Sequence, residues 1–151
     1  MGLLLALSPP RPAAGVPWPA ALVAGGGVGL VVYLLAVRRL PRLSPPVRPF
    51  SALLARHGVL GLWALNEEII WRRVVLGELL ASGALVALSL STVGFALAHR
   101  ARALHLGTGA AFGGLYLSTG ALVASVVAHW VYNVLVRSSL DRGLSQSGTV
   151  P

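Results

Sequence analysis

The sequence of 151 residues contains neither cysteine nor lysine, and only four of its side chains are acidic. The lack of cysteine excludes disulfides, thiolate metal sites and a cysteine nucleophile. The lack of lysine excludes a serine–lysine site, and the single aspartate, Asp141, excludes a pair of intramembrane aspartates. His-Glu-x-x-His and Gly-x-Ser-x-Gly motifs are absent as well. Several common classes of protease are therefore excluded.

Charge is scarce, because charged residues make up 11% of the chain against about 25% in soluble domains. Hydrophobic residues reach 56%, and the mean hydropathy is +0.78. All twelve basic side chains are arginines, which give a net charge of +8. They lie between apolar runs, as the cytoplasmic flanks of membrane helices do, so no nucleic-acid partner is expected. The composition predicts an integral membrane protein in contact with the lipid bilayer.

Long uncharged runs predict the membrane segments. Trp18–Val37 has 20 uncharged residues, a helix of about 30 Å, which matches one hydrocarbon core. Leu79–Ala98 is a second such run, and the apolar stretch 51–76 precedes it. Leu106–Val136 is too long for one span and is predicted to break at Ser118-Thr119-Gly120, which leaves segments at 106–118 and 121–136. No strand alternation is present, so the prediction is an all-α, polytopic transmembrane helix bundle with about five membrane segments.

The chain is predicted to have five parts along its length. They are a flexible leader (1–17), an N-terminal transmembrane helix (18–37), a basic proline-rich cytoplasmic loop (38–49), a helical core (50–140) and a polar tail (141–151). Most arginines lie on one side of the membrane when the loop is cytoplasmic, and the N-terminus is then outside. The composition, rich in arginine, alanine and glycine, is typical of a bacterial genome. We therefore expect a multi-pass protein of a bacterial cell membrane.

Two carboxylates interrupt the apolar stretch 51–76. A charge at the centre of a bilayer costs roughly 2.5–3.5 kcal/mol on insertion scales, so these groups must be paired or face a wet cavity. Glu68 and Arg72 are four residues apart and can pair along one helix face. Glu67 is about 140° away from Arg72 on a regular helix and lacks that partner, which makes it a candidate general base. The alternatives are a structural cluster of ion pairs and a helix end that lies at the membrane interface.

Histidines end or interrupt the two apolar runs that follow. His99 lies four residues after Phe95, and on its own it is typical of a helix flank. His129 and Asn133 share one helix face, where they either cross-link helices or donate hydrogen bonds to a substrate oxygen. His57 and His105 lie among arginines and are expected to be solvated.

Three motifs occur in order on successive apolar helices: Glu67-Glu68-x-x-x-Arg72, Phe95-x-x-x-His99 and His129-x-x-x-Asn133. Together they resemble the CPBP family of CAAX proteases and bacteriocin-processing enzymes, also called the Abi domain. The resemblance covers about residues 50–140. It implies that this core is catalytic, and that the protein is an intramembrane endopeptidase acting on a membrane-associated peptide or protein.

The resemblance also implies a role for each motif residue. Glu67 with His99 would activate the attacking water, while His129 and Asn133 would polarise the scissile carbonyl and stabilise the oxyanion. Glu68 and Arg72 would pair and fix the helix. Members of the family are often called metalloproteases, and Glu67, His99 and His129 could supply three ligands of a zinc ion. The same three residues suffice for metal-free acid–base chemistry, so both mechanisms stay open.

Depth along the helices gives a further expectation. In the predicted topology, Glu67 and His129 lie in the cytoplasmic half of the membrane, which places the active site there. His99 appears shallower, so we expect its helix to continue through Arg102 towards His105, or to tilt. A shared site requires His99 within about 10 Å of Glu67, since a base and its partner must be within hydrogen-bond reach or one water apart.

Two other classes of function remain open from the sequence. A non-enzymatic membrane protein of the same fold, such as a bacteriocin-immunity or assembly factor, would keep the helices without the chemistry. A small proton-coupled transport protein would use Glu67 and the histidines as a proton path. Assembly into an oligomer is compatible with each of these functions.

Overall fold

A computed structural model describes residues 15–37 and 50–147, with side chains described for 15–37 and 51–140. The greater part of the predicted leader and the basic loop 38–49 lie outside these residues. Five long helices carry the fold: α1 (Trp18–Val37), α2 (Phe50–Glu68), α3 (Ala84–Leu97), α4 (Arg102–Thr119) and α5 (Leu122–Ser147). Strands are absent from both described ranges, which confirms the all-α class. Helix α5 includes residues 141–147 of the predicted tail.

Only α1, among the described helices, is both long and apolar enough to cross a bilayer by length and composition. Its mean hydropathy is 2.2 over the best window, and it coincides with the span predicted from the sequence. Helix α3 is apolar but has only 14 residues, about 21 Å of helix. The prediction of about five membrane segments is therefore not confirmed.

Helix α2 does not end at Glu68 but widens into a π-helix over Ile69–Leu76. An α-helical turn (Gly77–Leu79) and a 3-10 turn (Leu80–Ser82) continue this helical segment as far as Ser82. A π-helix uses i→i+5 hydrogen bonds and occurs preferentially at functional sites. The prediction of a regular helix with 100° per residue therefore does not hold after Glu68, because a π-helix has more residues in each turn.

Two breaks separate the helices differently from the prediction. The run Leu79–Ala98 is not one helix, because Gly83 has φ 98°, a conformation that only glycine adopts freely. Helix α3 also ends at Leu97, so the predicted continuation through Arg102 was wrong, whereas the alternative that the helix tilts stays a prediction. The predicted break at Ser118-Thr119-Gly120 is confirmed, since α4 ends at Thr119 and Gly120 has φ 63°.

Small residues let α1 pack closely along α5. Gly25 and Gly29 are buried on α1 against the backbone of Ala124 and Ala128, which are fully buried on α5. Close approach of this kind replaces the hydrophobic effect as the source of helix association in lipid. Beyond these contacts, the hydroxyl of Tyr33 lies 2.6 Å from that of Ser139. The packing of α1 thereby fixes α5, the helix that carries His129 and Asn133.

We predict that Gly25→Ala destabilises the protein, although alanine favours a helix over glycine by about 1 kcal/mol. An added Cβ would lie 2.5 Å from the carbonyl oxygen of Ala124, so α1 and α5 would have to separate. Gly26→Ala is the matched control, because nothing lies within 4 Å of its added Cβ. Thermal unfolding in detergent should show a lower midpoint for Gly25→Ala than for Gly26→Ala. Equal midpoints would contradict the close packing.

Candidate active site

A buried carboxylate joins three of the helical segments. Glu68, the last residue of α2, is fully buried and accepts a 2.9 Å hydrogen bond from Nε of Arg72 in the π-helix. Its other oxygen, Oε1, lies 3.0 Å from Nδ1 of His129 on α5. Arg72 is fully buried and His129 nearly so. The predicted pairing of Glu68 with Arg72 is confirmed, and the pair extends to the histidine.

Helix α3 supports the guanidinium through Ser91, which the three motifs do not include, and through Phe95, which belongs to the second motif. Nη1 of Arg72 donates to the hydroxyl of buried Ser91 at 3.3 Å, and Ser91 donates to the carbonyl of Trp71 at 2.6 Å. The ring of Phe95 lies 5.1 Å from the guanidinium carbon, within cation–π range. Ser91 lies four residues before Phe95, which lies four before His99. A polar residue at this helical spacing was the signal in the sequence that could have identified Ser91.

Glu67 faces the same region but keeps one oxygen unpaired. Its Oε1 accepts a hydrogen bond from the indole nitrogen of Trp63, one turn earlier on α2. Its Oε2 is buried and has no hydrogen-bond partner. That oxygen lies 3.6 Å from Nε2 of His99 and 3.8 Å from Nε2 of His129. The structure therefore brings His99 well within the 10 Å limit, from the turn after α3 instead of from a longer helix.

The second nitrogen of each imidazole indicates its tautomer. Nδ1 of His99 lies 2.7 Å from the carbonyl oxygen of Phe95, which can only accept, so Nδ1 carries the proton. Nδ1 of His129 donates in the same way to the Glu68 carboxylate. Both Nε2 atoms then present lone pairs to Oε2 of Glu67 when the rings are neutral. Three acceptors that face one another need a proton donor between them.

A bridging water would meet this need. The distances of 3.6 Å and 3.8 Å are longer than a direct hydrogen bond, and a water placed beside the three atoms could donate to two of them. The geometry thus suits a water held between a carboxylate and two imidazoles.

Glu67, His99 and His129 are also candidate ligands of a zinc ion. Their chemistry fits, since a carboxylate oxygen and two imidazoles with anchored Nδ1 atoms are usual zinc ligands. Ligands with bonds near 2.0 Å at a tetrahedral angle lie roughly 3.3 Å apart, closer than Glu67 lies to either histidine. Within ranges 15–37 and 50–147, no group of three potential ligands has the spacing for a metal ion. The side chains as placed do not form a zinc-ligand set.

Asn133 lies one turn beyond His129 on α5 and is half-buried. Its amide makes no hydrogen bond to the described side chains, so the structure does not join it to the carboxylate cluster. Phe112 of α4 stacks on the imidazole of His129, with ring centroids 5.2 Å apart and planes at 26°. This contact, which the sequence analysis did not identify, holds the ring above Glu67 and Glu68.

Neither of the remaining histidines lies in a solvated loop, contrary to the prediction. His57 is half-buried within α2, and its carbonyl accepts a 3.0 Å hydrogen bond from the indole of Trp130. His105 is half-buried in α4, and its ring stacks on that of His99. The turn between α3 and α4 brings His105 back onto His99, and sequence spacing alone does not reveal such a contact.

Access to the cluster is from the turn that carries His99. A cleft of about 470 Å³ opens there, lined by Leu97, Ala98, His99, Arg100 and Arg102. The side chain of His99 is 25% exposed, whereas that of Glu67 is 15% exposed. Solvent can therefore reach the imidazole of His99 from outside, while the Glu68–Arg72 pair is fully buried.

The chain is similar to one family of known proteins. A family model described as Type II CAAX prenyl endopeptidase Rce1-like matches residues 49–135, a range that contains all six predicted site residues. No curated protein and no solved structure matches the chain. The family match covers more than half of the sequence and confirms the resemblance drawn from the three motifs. The chain therefore belongs to the Rce1-like family of type II CAAX prenyl endopeptidases.

Proposed function

We propose that the protein is an intramembrane endopeptidase that hydrolyses a peptide bond of a membrane-associated peptide or protein. Membership in a protease family supports the reaction class. The observation that carries the proposal is the unpaired Oε2 of Glu67, which faces Nε2 of both His99 and His129. Nη2 of Arg72 and Oγ1 of Thr92 are also buried without a partner, so what distinguishes Oε2 of Glu67 is its position against two imidazole nitrogens.

The proposal includes the proton transfers, and the proximity of Glu67 to His99 supports them. A water between Glu67 and His99 gives a proton to the carboxylate as its oxygen attacks the scissile carbonyl carbon. Collapse of the tetrahedral intermediate breaks the C–N bond, and the same proton moves to the leaving amine. The products are a new carboxyl terminus and a new amino terminus. Glu67 and His99 lie where one water can contact both.

Stabilisation of the oxyanion is assigned to His129 and Asn133. Nε2 of His129 can donate to the oxyanion only when the ring is protonated on both nitrogens. Glu68 accepts from Nδ1 and stabilises that imidazolium, as the buried carboxylate of a catalytic triad does. The Asn133 amide, which is half-buried and one turn away, supplies the second donor to the substrate. Arg72 holds the Glu68 carboxylate in place.

Zinc is an alternative activator of the water only if Glu67, His99 and His129 move closer together than the described side chains lie. Those three residues would then hold the ion, and it would supply Lewis-acid activation of the water. Measuring zinc in the purified wild type and in Glu67→Gln by plasma mass spectrometry distinguishes the two mechanisms. Stoichiometric zinc that is lost in the variant favours the metal. Active protein without zinc favours the carboxylate alone.

We propose further that the protein is a multi-pass component of a bacterial cell membrane with its site in the cytoplasmic half. The apolar helix α1 and the membership in the family support a location in the membrane. The arginines at the cleft, Arg100 and Arg102, are exposed and suit a cytoplasmic interface. Protease protection of tags placed at the two termini tests this orientation.

The function is tested by comparing the peptide termini of host membranes. Wild type and Glu67→Gln are expressed at equal folded levels, and the N- and C-termini of membrane peptides are catalogued. Termini found only with wild type would demonstrate proteolysis and identify the substrate. Identical termini with a phenotype that survives Glu67→Gln would favour the immunity or assembly role. Proton flux in liposomes without cleavage would favour transport.

We predict that Trp63→Phe lowers the rate of cleavage about tenfold, an effect typical of outer hydrogen-bond partners. The substitution removes the indole donor from Oε1 of Glu67, so the carboxylate loses its orientation. Trp130→Phe is the matched control, because its indole donates to the carbonyl of His57 outside the cluster. Peptide cleavage in proteoliposomes measures both variants. Equal rates would show that Trp63 does not orient the base.

A further inference from the structure

His105 is a candidate for a role that the three motifs do not include. Its ring stacks on that of His99 with centroids 4.1 Å apart and planes only 13° from parallel. It also lies 5.7 Å from the ring of Phe95, which is 4.5 Å from His99. These three distances form a triangle, so Phe95 and His105 contact the His99 ring from roughly perpendicular directions.

His99 needs such support because it does not lie within a helix. Helix α3 ends at Leu97, and His99 belongs to the turn that leads to α4. A residue on an exposed turn ordinarily samples several side-chain rotamers. Its only described side-chain hydrogen bond joins Nδ1 to the carbonyl of Phe95, and that bond by itself leaves the tilt of the ring free.

His105 is itself held rigidly. It lies in the first turns of α4, and its Nδ1 is 2.8 Å from the carbonyl of Ala101. Both stacked rings are therefore fixed through the same nitrogen to a carbonyl four residues earlier. Because α4 packs along α3, the stack ties the orientation of His99 to a second helix.

We propose that His105 is a positioning residue that holds the imidazole plane of His99, so that its Nε2 stays directed at Oε2 of Glu67. This inference rests on the proposed function for its effect on catalysis. His105 acts through His99, by ring contact, and an aromatic ring of any kind at this position supplies the same surface.

The test compares His105→Leu, which removes the ring, with His105→Phe, which keeps it. In a peptide-cleavage assay in proteoliposomes, His105→Leu should lower kcat about tenfold with KM unchanged, as loss of an orienting neighbour does. His105→Phe should restore kcat to within about threefold of wild type. His57→Leu is the control, since His57 lies on α2 outside the stack.

A second readout does not depend on activity. Ring resonances of histidines in the full-length protein in detergent, assigned with His→Gln variants, report the stacking and the tautomer of His99. The His99 ring signals should move in His105→Leu and lose their single tautomer, and they should keep that tautomer in His105→Phe. Should His105→Leu not fold, His105→Gln replaces it.

The outcomes separate this inference from the proposed function. If the wild type is active, and His105→Leu changes neither kcat nor the His99 signals, the role of His105 alone is overturned. A His105→Phe variant as impaired as His105→Leu would overturn the stacking mechanism. If the wild type cleaves no peptide, the proposed function fails. The His99 signals then decide the positioning role by themselves.

Discussion

Replacing Glu67 with glutamine is expected to lower kcat for peptide hydrolysis by about 10²–10⁴-fold, the range for loss of a general base. Glutamine keeps an oxygen that accepts from the Trp63 indole, so the local hydrogen bond survives. Its NH₂ group then faces the lone pairs of His99 and His129, where the carboxylate oxygen had no partner. The variant should therefore fold as well as wild type while the proton acceptor is lost. Single-turnover cleavage in proteoliposomes measures the rate.

Glu78→Gln is the matched control, because Glu78 is exposed and lies in the α-helical turn that follows the π-helix. It should retain the wild-type rate and the wild-type unfolding midpoint. Glu67→Asp keeps the charge but withdraws it by one methylene, and its rate should lie between those of wild type and Glu67→Gln. A Glu67→Gln variant with more than a tenth of wild-type activity would remove Glu67 as the base. A loss of folded protein in that variant would show that Glu67 is structural.

Much of the site could be predicted because its contacts are local or repeat with helical spacing. The pairing of Glu68 with Arg72 depends only on a four-residue interval, which the start of the π-helix does not disturb. The break at Gly120 follows from a run too long for one span, with a glycine available for the positive φ. Family membership could also be predicted, because three short motifs in a fixed order are jointly specific.

The rest depends on long-range packing that no interval reveals. The bond between Glu68 and His129 joins residues 61 positions apart, so neither motif alone indicates that they meet. His105 was placed in a loop because arginines surround it, yet the turn after α3 folds it onto His99. Gly83 lies inside an uncharged run that hydropathy treats as continuous, and only its backbone conformation shows the break. Composition predicts the environment of each segment, whereas the chain path decides which side chains meet.

The second large effect is expected from Arg72→Met, which should destabilise the folded protein by about 3–5 kcal/mol, the cost of breaking a buried ion pair. The substitution leaves the fully buried Glu68 carboxylate without its guanidinium and the Ser91 hydroxyl without its donor. Thermal unfolding in detergent, followed by size-exclusion chromatography, measures the loss. Arg73→Met is the matched control, since Arg73 is half-buried, and it should unfold near the wild-type midpoint.

The double variant Glu68→Gln/Arg72→Met separates stability from chemistry. Removing both charges leaves a neutral amide whose oxygen still accepts from Nδ1 of His129, so no unpaired charge stays buried. Replacement of a whole buried pair is often neutral or stabilising, and the midpoint should recover well above that of Arg72→Met. Activity should stay low, because a neutral amide no longer stabilises the imidazolium that donates to the oxyanion. A double variant as unstable as Arg72→Met would refute the charge argument. One that is stable and fully active would show that Glu68 serves the fold and not the reaction.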